Sequence, residues 1–517
     1  MESKWHSKPG DKFIRRTRAK AHPLRRVLGV LGLFSAGYGD VGSSIYYALG
    51  LVVLIAAGAP PVVLLIAGIF YIFTSLSYAE GTAMMPEAGG SATFARHAFN
   101  DFWGSIAGWA LAFSYIITMA ISAYTVPAYL GYFWKQFGNP VIGTGFATGI
   151  ILFLMCLNVM GIKRSSILNI GFIVLDIVTQ VLIIVLAVLF LFNPQSLFHN
   201  ITAYWPSTDK LIFGIAVAAI AYTGIETISQ LSEEAKHPQV SVPRAYILMM
   251  VVVLILFSGI SVAGFSTMTP VEMASEWARD PVAGIASGLS LAIIPEEAAA
   301  RFSSNPATVI VLSAILGGLL KILPILVAVL AATILTVATN AGLMGISRLT
   351  FSMGRFQLLP PALFSVHPKF KTPYRSIILF GFIAILLLIP GFFAPDTFVK
   401  LGGLYAFGSL LAFALAHASI LRLRLKHPEF PRPFKLKANI KFGGRELPIT
   451  AILGLVATSG IWLVIIVMYP YVRWVGFGWM SLGIVVYCIF RRRRRLPLWQ
   501  TSSKIAPPLL TNDKKLS

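Results

Sequence analysis

The sequence predicts an all-α polytopic membrane protein with twelve transmembrane helices. Its 517 residues have a mean hydropathy of +0.78 and carry only 42 Lys and Arg and 20 Asp and Glu, about half the charge density of a soluble protein. Uncharged runs of 33, 32 and 27 residues (102–134, 177–208 and 245–271) exceed the roughly 20 apolar residues that cross a bilayer as a helix. The runs are continuous rather than alternating, which excludes a transmembrane β-barrel.

The apolar segments divide into twelve predicted spans, which we number in chain order. They lie near 28–54, 61–83, 103–133, 141–160, 167–193, 210–232, 245–268, 310–347, 374–394, 400–421, 448–470 and 472–490. Span 8 is longer than a bilayer requires, so its start is not fixed by composition. The connection that follows span 7 is the longest on its side and is predicted to contain short helices.

The basic residues are concentrated on one side of these spans. Nine Lys and Arg precede Val27, eight lie between Arg422 and Arg445, and a further run covers Arg491 to Arg495. The positive-inside rule therefore predicts a plasma-membrane protein with both termini in the cytoplasm. In this setting the net charge of +22 indicates topology determinants and contacts with anionic lipids, and not nucleic-acid binding.

No pattern in the sequence indicates an enzyme. Cys156 and Cys488 lie in different spans, so neither a disulfide framework nor a metal cluster is predicted. The sequence also lacks a phosphate-binding loop and a nucleophile–base arrangement, and it indicates no cofactor.

Spans 1 and 6 contain residues that interrupt an apolar helix. Gly37, Gly39 and Gly42 surround Asp40 in span 1, and Gly224 precedes Glu226 in span 6. Unwound backbone is tolerated in a membrane only around a cavity, and breaks five spans apart are typical of two inverted five-helix repeats with a site near mid-membrane. The alternative is that the glycines only allow close helix packing.

This interpretation predicts three regions. A basic arm covers residues 1–27, and a twelve-helix transporter domain covers residues 28–490. Repeat one takes about 28–193, repeat two about 210–421, and two extra helices 448–490. A basic tail follows at 491–517.

Three carboxylates lie deep inside predicted spans: Asp40, Asp176 and Glu226. An ionised group in hydrocarbon is unfavourable unless it is paired or hydrated, so intramembrane acids are functional candidates. The alternative for each is a protonated, hydrogen-bonded structural acid.

Three further segments resemble signatures of the amino acid-polyamine-organocation (APC) superfamily. They are Tyr78-Ala79-Glu80 with Pro86-Glu87-Ala88-Gly89-Gly90-Ser91; Thr223-Gly224-Ile225-Glu226 with Glu233-Glu234-Ala235-Lys236-His237-Pro238 and Val242-Pro243-Arg244-Ala245; and Ser347-Arg348-Leu349 with Met353-Gly354-Arg355, His367-Pro368 and Thr372-Pro373. The resemblance covers most of the chain. It implies a five-plus-five inverted repeat of the LeuT-like type, broken helices 1 and 6, and secondary active transport.

The first span is most similar to one branch of that superfamily. Tyr38-Gly39-Asp40-Val41-Gly42-Ser43-Ser44-Ile45-Tyr46-Tyr47 resembles the Tyr-Gly-Asp-Ile-Gly-Thr-Ser-Pro-Leu-Tyr pattern of the KUP and KimA-type potassium importers. The resemblance implies a cation cavity lined by Asp40, Tyr47, Tyr115, Ser122, Thr223, Glu226 and Tyr405, with a monovalent cation held at Asp40, Thr223 and Glu226.

Physical reasoning favours the same substrate. A weakly hydrated cation needs oxygen ligands to replace its water. An amino acid would place its carboxylate on backbone amides near Gly42 and Ser43. There an ionised Asp40 about 5 Å away would oppose it by roughly 3 kcal/mol. The predicted function is therefore proton-coupled potassium uptake. The alternative is an amino acid or polyamine permease of the same superfamily, and a channel or a non-transporting sensor is a more remote one.

The fifth span supplies a candidate for proton coupling. In the family frame, Asp176 falls where many proton-coupled amino acid transporters carry Lys. The resemblance thus implies that Asp176 binds the driving proton or a cation. The expected partners are potassium ions or an amino acid, protons and membrane lipids; the sequence leaves the oligomeric state open and allows a homodimer.

Overall fold

A computed structural model of the protein describes residues 26–161, 166–394 and 396–500. Within them, twelve helices are long and apolar enough to cross a membrane, in agreement with the predicted number and order. Spans 1 to 12 are Val30–Ala56, Pro60–Met84, Asp101–Leu130, Pro140–Met160, Ile170–Leu191, Thr208–Gln230, Pro238–Thr267, Pro306–Arg355, Tyr374–Phe392, Thr397–Lys426, Ile449–Met468 and Pro470–Arg493. Most of the predicted basic arm and tail lies outside the described residues.

An even number of spans returns the chain to the side on which it started. We call the side that holds the start of span 1 and the end of span 12 the terminal face, and the opposite side the distal face. Short helices extend the connections on both faces. They are Ser91–Ala98 on the terminal face, and Pro194–Ala203, Pro270–Glu276, Pro281–Ala292 and Pro295–Ala300 on the distal face.

A small β-hairpin departs from the all-α prediction. Its strands, Asn439–Phe442 and Arg445–Pro448, pair antiparallel between spans 10 and 11. The two residues that join the strands, Gly443 (φ +55°) and Gly444 (φ +76°), both have positive φ, which is the geometry of the commonest two-residue hairpin loop.

Local sequence explains where several spans begin. Proline is the first residue of spans 2, 4, 7, 8 and 12, a position where its fixed φ suits a helix and no hydrogen bond is lost. The side chains of Asn139 and Asn305 cap spans 4 and 8 by accepting backbone N–H groups at 2.9 and 3.0 Å. Such caps satisfy donors that the helix itself leaves unpaired.

Spans 1 and 6 are the interrupted spans, as predicted. In span 1, helices Val30–Val41 and Ile45–Ala56 are joined by the 3₁₀ turn Gly42–Ser44. In span 6, helix Thr208–Ala218 continues through the 3₁₀ turn Ala219–Tyr222, and a new helix runs over Glu226–Gln230. Between them, Thr223 is extended and Gly224 has φ +100°. Span 1 is therefore tightened by one turn, whereas span 6 is unwound.

Spans 3 and 8 pack closely through small residues. A Cβ on Gly345 would lie 2.5 Å from the Tyr115 ring, and one on Gly342 would lie 2.7 Å from the Met119 side chain. Close backbone approach at glycine is the usual basis of helix association in membranes. This contact positions the Tyr115 ring in the interior of the bundle.

Two predicted boundaries are corrected by the structure. Span 8 covers 50 residues, Pro306–Arg355, because the helix continues beyond the predicted 310–347 at both ends. The sequence predicts a basic tail that begins at Arg491, but the helix of span 12 extends to Arg493. The guanidinium of Arg491 is fully buried, and its Nη1 lies 2.9 Å from Asp101 Oδ2. Arg491 is thus a structural ion-pair residue and not part of a solvated tail.

Candidate functional site

The interruptions of spans 1 and 6 meet at Asp40 and Gly224. A Cβ on Gly224 would lie 2.8 Å from Asp40 Cγ and 3.0 Å from the Val41 nitrogen. The position also has φ +100°, a conformation that side chains strongly disfavour. Glycine is therefore needed here on two counts, and its small size brings the two backbones into contact beside the Asp40 carboxylate.

Asp40 is buried and only half satisfied. Its Oδ2 accepts a hydrogen bond of 2.6 Å from the Thr227 hydroxyl, whereas its Oδ1 accepts none from any described residue. The ion pairs in the described part of the chain all involve other acids, so neither Asp40 nor Glu226 has a basic partner there. A buried carboxylate oxygen without a partner is costly, and it is well suited to receive a cationic donor.

The backbone amides that the alternative prediction assigned to a substrate carboxylate are not both free. The Gly42 N–H donates to the Tyr38 carbonyl, as in an ordinary helix. A Cβ at Gly42 would lie 2.5 Å from the Tyr38 ring, so this glycine makes room for that ring. The Ser43 hydroxyl donates to the Asp40 carbonyl at 2.7 Å, which ties it to the turn itself.

Glu226 and Thr223 likewise bond to their own span. Glu226 Oε2 accepts the Gly224 N–H at 3.1 Å, and the Thr223 hydroxyl donates to the Ile220 carbonyl at 2.7 Å. The Asp40 carboxylate in turn accepts from the Thr227 hydroxyl. The predicted cation ligands Asp40, Thr223 and Glu226 thus all lie where spans 1 and 6 meet, but each is engaged separately.

Three of the predicted tyrosines are within electrostatic reach of Asp40. The Tyr47 hydroxyl is 2.9 Å from the Ser44 hydroxyl and lies beside that of Tyr405 from span 10. The Tyr115 hydroxyl lies beside Thr227. Tyr47, Tyr115 and Tyr405 all interact electrostatically with Asp40.

Ser122 is not joined to this group by any hydrogen bond. Its hydroxyl is buried and unpartnered among the described residues. Ser122 lies seven residues beyond Tyr115 on span 3, about 10 Å along the helix. Ser122 therefore stays a predicted site residue.

Asp176 connects the two halves of span 1. Its Oδ2 accepts the Tyr38 hydroxyl at 2.9 Å and the Gln180 side-chain amide at 2.8 Å. Its Oδ1 accepts the Tyr46 hydroxyl. Because Tyr38 precedes the 3₁₀ turn and Tyr46 follows it, one fully buried carboxylate on span 5 holds both helices of span 1.

Some residues of the site were missed by the sequence analysis. Thr227 was missed although it directly follows Glu226, and Tyr38, Tyr46 and Gln180 were not linked to Asp176. Gln180 carries a readable signal, since it lies four residues after Asp176 on the same helix face. The tyrosine contacts join residues 130 or more positions apart in the sequence, and no local pattern reveals them.

On the terminal face, two ion pairs and a backbone hydrogen bond connect the end of span 6 to spans 8 and 1. Glu234 pairs with Arg348 at 2.9 Å, and Glu233 pairs with Arg355 at 3.2 Å, which joins the end of span 6 to the end of span 8. The Leu28 N–H also donates to the Glu234 carbonyl at 3.0 Å. These contacts cross between spans that must separate if the site is to open on this face.

The distal face carries a cavity of about 770 Å³. Its charged and aromatic lining includes Tyr124, Lys135, Glu276, Arg279 and Asp280. Ala278 also lines this cavity, and its carbonyl approaches Gly50 of span 1 so closely that a Cβ on Gly50 would overlap with it. The segment before helix Pro281–Ala292 therefore covers the distal half of span 1.

This covering segment is expected to be pH-sensitive. Burial raises the pKa of the Asp280 carboxyl to about 7, against weaker opposing effects of its own N–H and of Arg279. A raised acid pKa stabilises the fold at low pH, and that contribution is lost as the pH rises through about 7. We expect the melting temperature of wild type, followed by tryptophan fluorescence in detergent, to fall between about pH 5 and pH 8.5, and the fall to be smaller in Asp280→Asn. An equal fall in the variant would assign the pH dependence to other groups.

The protein is similar in sequence to a known family of membrane proteins. The sequence pattern of the family described as "Amino acid permease" matches residues 28–490. The chain belongs to the amino acid permease family. Proteins of this family are transporters and not enzymes, and the chain is an integral membrane protein, as the sequence predicted.

Two curated relatives extend over nearly the whole permease. The methylthioribose transporter of Bacillus subtilis is 26% identical over 514 residues, covering 96% of this chain and 99% of that protein. The branched-chain amino acid permease BcaP of Bacillus subtilis is 28% identical over 492 residues, covering 91% of this chain and 94% of that protein. These relatives give no support to the resemblance of span 1 to potassium importers.

A solved structure supports the architecture. The crystal structure of a mutant of the Eremococcus coleocola manganese transporter matches with a TM-score of 0.52, covering 92% of this permease and 99% of that chain. The sequence identity is 11%, so the likeness concerns the fold alone. The permease has the predicted LeuT-like fold of twelve helices with interrupted helices 1 and 6. None of these comparisons supports a homodimer.

Proposed function

We propose that this permease takes up a small organic solute that carries an amino group, an amino acid in the first instance, together with protons. The substrate ammonium group binds Asp40 Oδ1 where spans 1 and 6 meet. The observation that carries the proposal is the buried carboxylate oxygen that has no partner among the described residues. An ammonium group supplies both the donor and the charge that this oxygen lacks.

The surroundings of Asp40 support an organic substrate over a bare cation. Tyr47, Tyr115 and Tyr405 present aromatic rings as well as hydroxyl groups near Asp40, a mixture that suits an apolar body with one polar end. Thr223 and Glu226 are engaged with backbone groups of span 6. Potassium uptake, the function first predicted, is therefore replaced by the alternative of an amino acid permease.

The relatives favour the same class without fixing the substrate. One is named for branched-chain amino acids and the other for methylthioribose, so proteins similar to this one differ in what they carry. We place the terminal face in the cytoplasm, on the positive-inside rule. In that orientation the distal cavity is the entry for substrate, and the ion pairs of Glu233 and Glu234 close the exit.

Tracer uptake into proteoliposomes tests this function. Purified protein is reconstituted, an inward proton gradient is imposed, and uptake of single labelled amino acids, methylthioribose and rubidium is compared. Saturable uptake of one or more amino acids that collapses with the proton gradient supports the proposal. Uptake of rubidium without amino acids would restore the potassium prediction, and uptake of methylthioribose alone would remove the ammonium group from the account.

We further propose that Asp176 binds the coupling proton. Its protonation weakens the acceptor that holds Tyr38 and Tyr46, and thereby frees the two halves of span 1 to move separately. We expect Asp176→Asn to transport with an uptake rate that varies much less with pH than that of wild type. Asp209→Asn, which removes an exposed carboxylate at the start of span 6, is the control. A pH profile of Asp176→Asn that superimposes on wild type would make Asp176 a structural residue only.

A further inference from the structure

A row of buried hydroxyl groups runs along one face of span 2. Its members are Tyr71, Ser75, Tyr78 and Thr82, spaced four, three and four residues apart, so they share one side of the helix. All are buried, and each has an oxygen that makes no hydrogen bond to a described residue. We call these four residues the span-2 hydroxyl row.

Three further buried residues have a polar atom that lacks a partner among the described residues. They are Gln230 of span 6, Tyr246 of span 7 and Ser91 of the helix that follows span 2. The rings of Tyr78 and Tyr246 lie 6.3 Å apart. Tyr78 of the row thus packs against a second buried tyrosine whose hydroxyl has no partner among the described residues.

The row is continuous with the substrate site. A Cβ on Gly90 would lie 2.6 Å from the Ser229 hydroxyl oxygen and 3.5 Å from the Tyr78 ring, and the Ser229 hydroxyl donates to the Glu226 carbonyl at 2.6 Å. Tyr71, Tyr78 and Tyr246 are also within electrostatic reach of the Glu226 carboxylate. Farther toward the terminal face, the Tyr78 hydroxyl lies beside Ser91, and the Tyr246 hydroxyl lies beside Thr82. The chain of oxygens therefore starts at Glu226 and follows span 2 toward its end at Met84.

Other buried hydroxyl groups on these helices donate to a backbone carbonyl of their own helix, so a helical residue need not leave its hydroxyl unpaired. On span 2 itself, the Thr74 hydroxyl donates to the Phe70 carbonyl at 2.9 Å. Thr118 and Thr125 of span 3 do the same with the carbonyl four residues earlier. Ser75 and Thr82 do not make this bond, although it was available to them. Buried polar groups are rarely left unsatisfied, and buried water is the usual partner of those that the protein itself does not pair.

We propose that the span-2 hydroxyl row, together with Glu226, Gln230, Tyr246 and Ser91, forms the path by which a proton carried by Glu226, separate from the one proposed for Asp176, leaves the substrate site toward the terminal face. The path begins when Glu226 gives its proton to a neighbouring oxygen. Each hydroxyl or water oxygen then accepts one proton and passes on another, so only O–H bonds form and break and the total charge is unchanged. The inference rests on the proposed proton-coupled transport and names residues that carry one part of it.

Glu226 has several titratable neighbours, which set when it accepts and releases a proton. They lie on five different spans: Asp40, Tyr71, Tyr78, Tyr115, Tyr246 and Tyr405. Since the group contains no basic side chain, a proton on Glu226 relieves repulsion with Asp40. A substrate cation bound at Asp40 relieves the same repulsion, so its arrival favours release of the proton.

The test separates proton movement from substrate movement. Proteoliposomes loaded with a pH-sensitive dye report substrate-driven proton influx, and counterflow of labelled against unlabelled substrate reports exchange without net proton transfer. For Tyr78→Phe and Thr82→Val we expect substrate-driven proton influx to fall at least tenfold while counterflow stays within about twofold of wild type. Tyr487→Phe and Thr458→Val, which change buried residues of spans 12 and 11, are the matched controls and should leave both signals unchanged.

Four other results would overturn the inference. Unchanged proton influx in both variants would show that the proton takes another route. Proton influx and counterflow that fall together would make the row part of the substrate site or of the packing. If wild type exchanges substrate without moving protons, the proton path is refuted but the protein is still a permease. If wild type exchanges none of the tested solutes, the proposed function is refuted together with the path.

Discussion

Asp40→Asn is expected to reduce uptake more than any other single substitution in the site. The amide keeps the size of the side chain and the hydrogen bond from Thr227, but it has no charge with which to hold an ammonium group. A hydrogen bond to a charged partner contributes about 1.5–3 kcal/mol, so apparent affinity should fall roughly ten- to hundredfold. Initial uptake rates as a function of substrate concentration in proteoliposomes measure this change.

The control for Asp40→Asn is Asp209→Asn, which removes a carboxylate from an exposed position. It should leave uptake unchanged. Comparable elution of the three proteins in gel filtration excludes misfolding as the cause of a loss. Wild-type affinity in folded Asp40→Asn would remove Asp40 from the binding site.

Gly224→Ala is expected to have the second largest effect, on both folding and transport. The new methyl group would lie 2.8 Å from Asp40 Cγ, and the φ of +100° disfavours any side chain, at a cost of about 1–3 kcal/mol. To make room for the methyl group, spans 1 and 6 must move apart at the proposed substrate site. We expect a lower yield of folded protein and uptake per folded molecule at least tenfold below wild type.

Gly444→Ala separates the effect of backbone strain from the effect of the steric contact with Asp40. Gly444 also has a positive φ (+76°), but a Cβ there would meet nothing within 4 Å. It should lose some stability through backbone strain and keep full transport activity. Wild-type transport in Gly224→Ala would contradict the close approach of spans 1 and 6.

The sequence contains enough information to predict the fold because its signals are local. Long apolar runs mark the spans, and Gly with an acid inside spans 1 and 6 marks the interruptions. The degree of each interruption was not readable, since span 1 stays helical through Gly42–Ser44 while span 6 unwinds at Thr223 and Gly224. The difference depends on contacts with other spans, which a local pattern does not record.

The sequence predicts the site only in part, because a local pattern does not record contacts between spans. Asp40, Tyr47, Tyr115 and Tyr405 were identified from motifs and do lie together, but the hydrogen-bond partners decide what they can bind. Thr227 donates to one oxygen of Asp40, and the other oxygen has no partner among the described residues. The potassium prediction depended on side chains that contain oxygen, without knowledge of which oxygens were already engaged.

Competition between an amino acid and its hydroxy-acid analogue tests the central claim most directly. The two compounds share carboxylate and side chain and differ only in the group proposed to bind Asp40 Oδ1. In wild type, we predict that the hydroxy acid competes for uptake of the labelled amino acid at least tenfold more weakly than the unlabelled amino acid. In Asp40→Asn this preference should nearly disappear. Equal competition by the two compounds in wild type would contradict the assignment of Asp40 as the binding site of the substrate ammonium group.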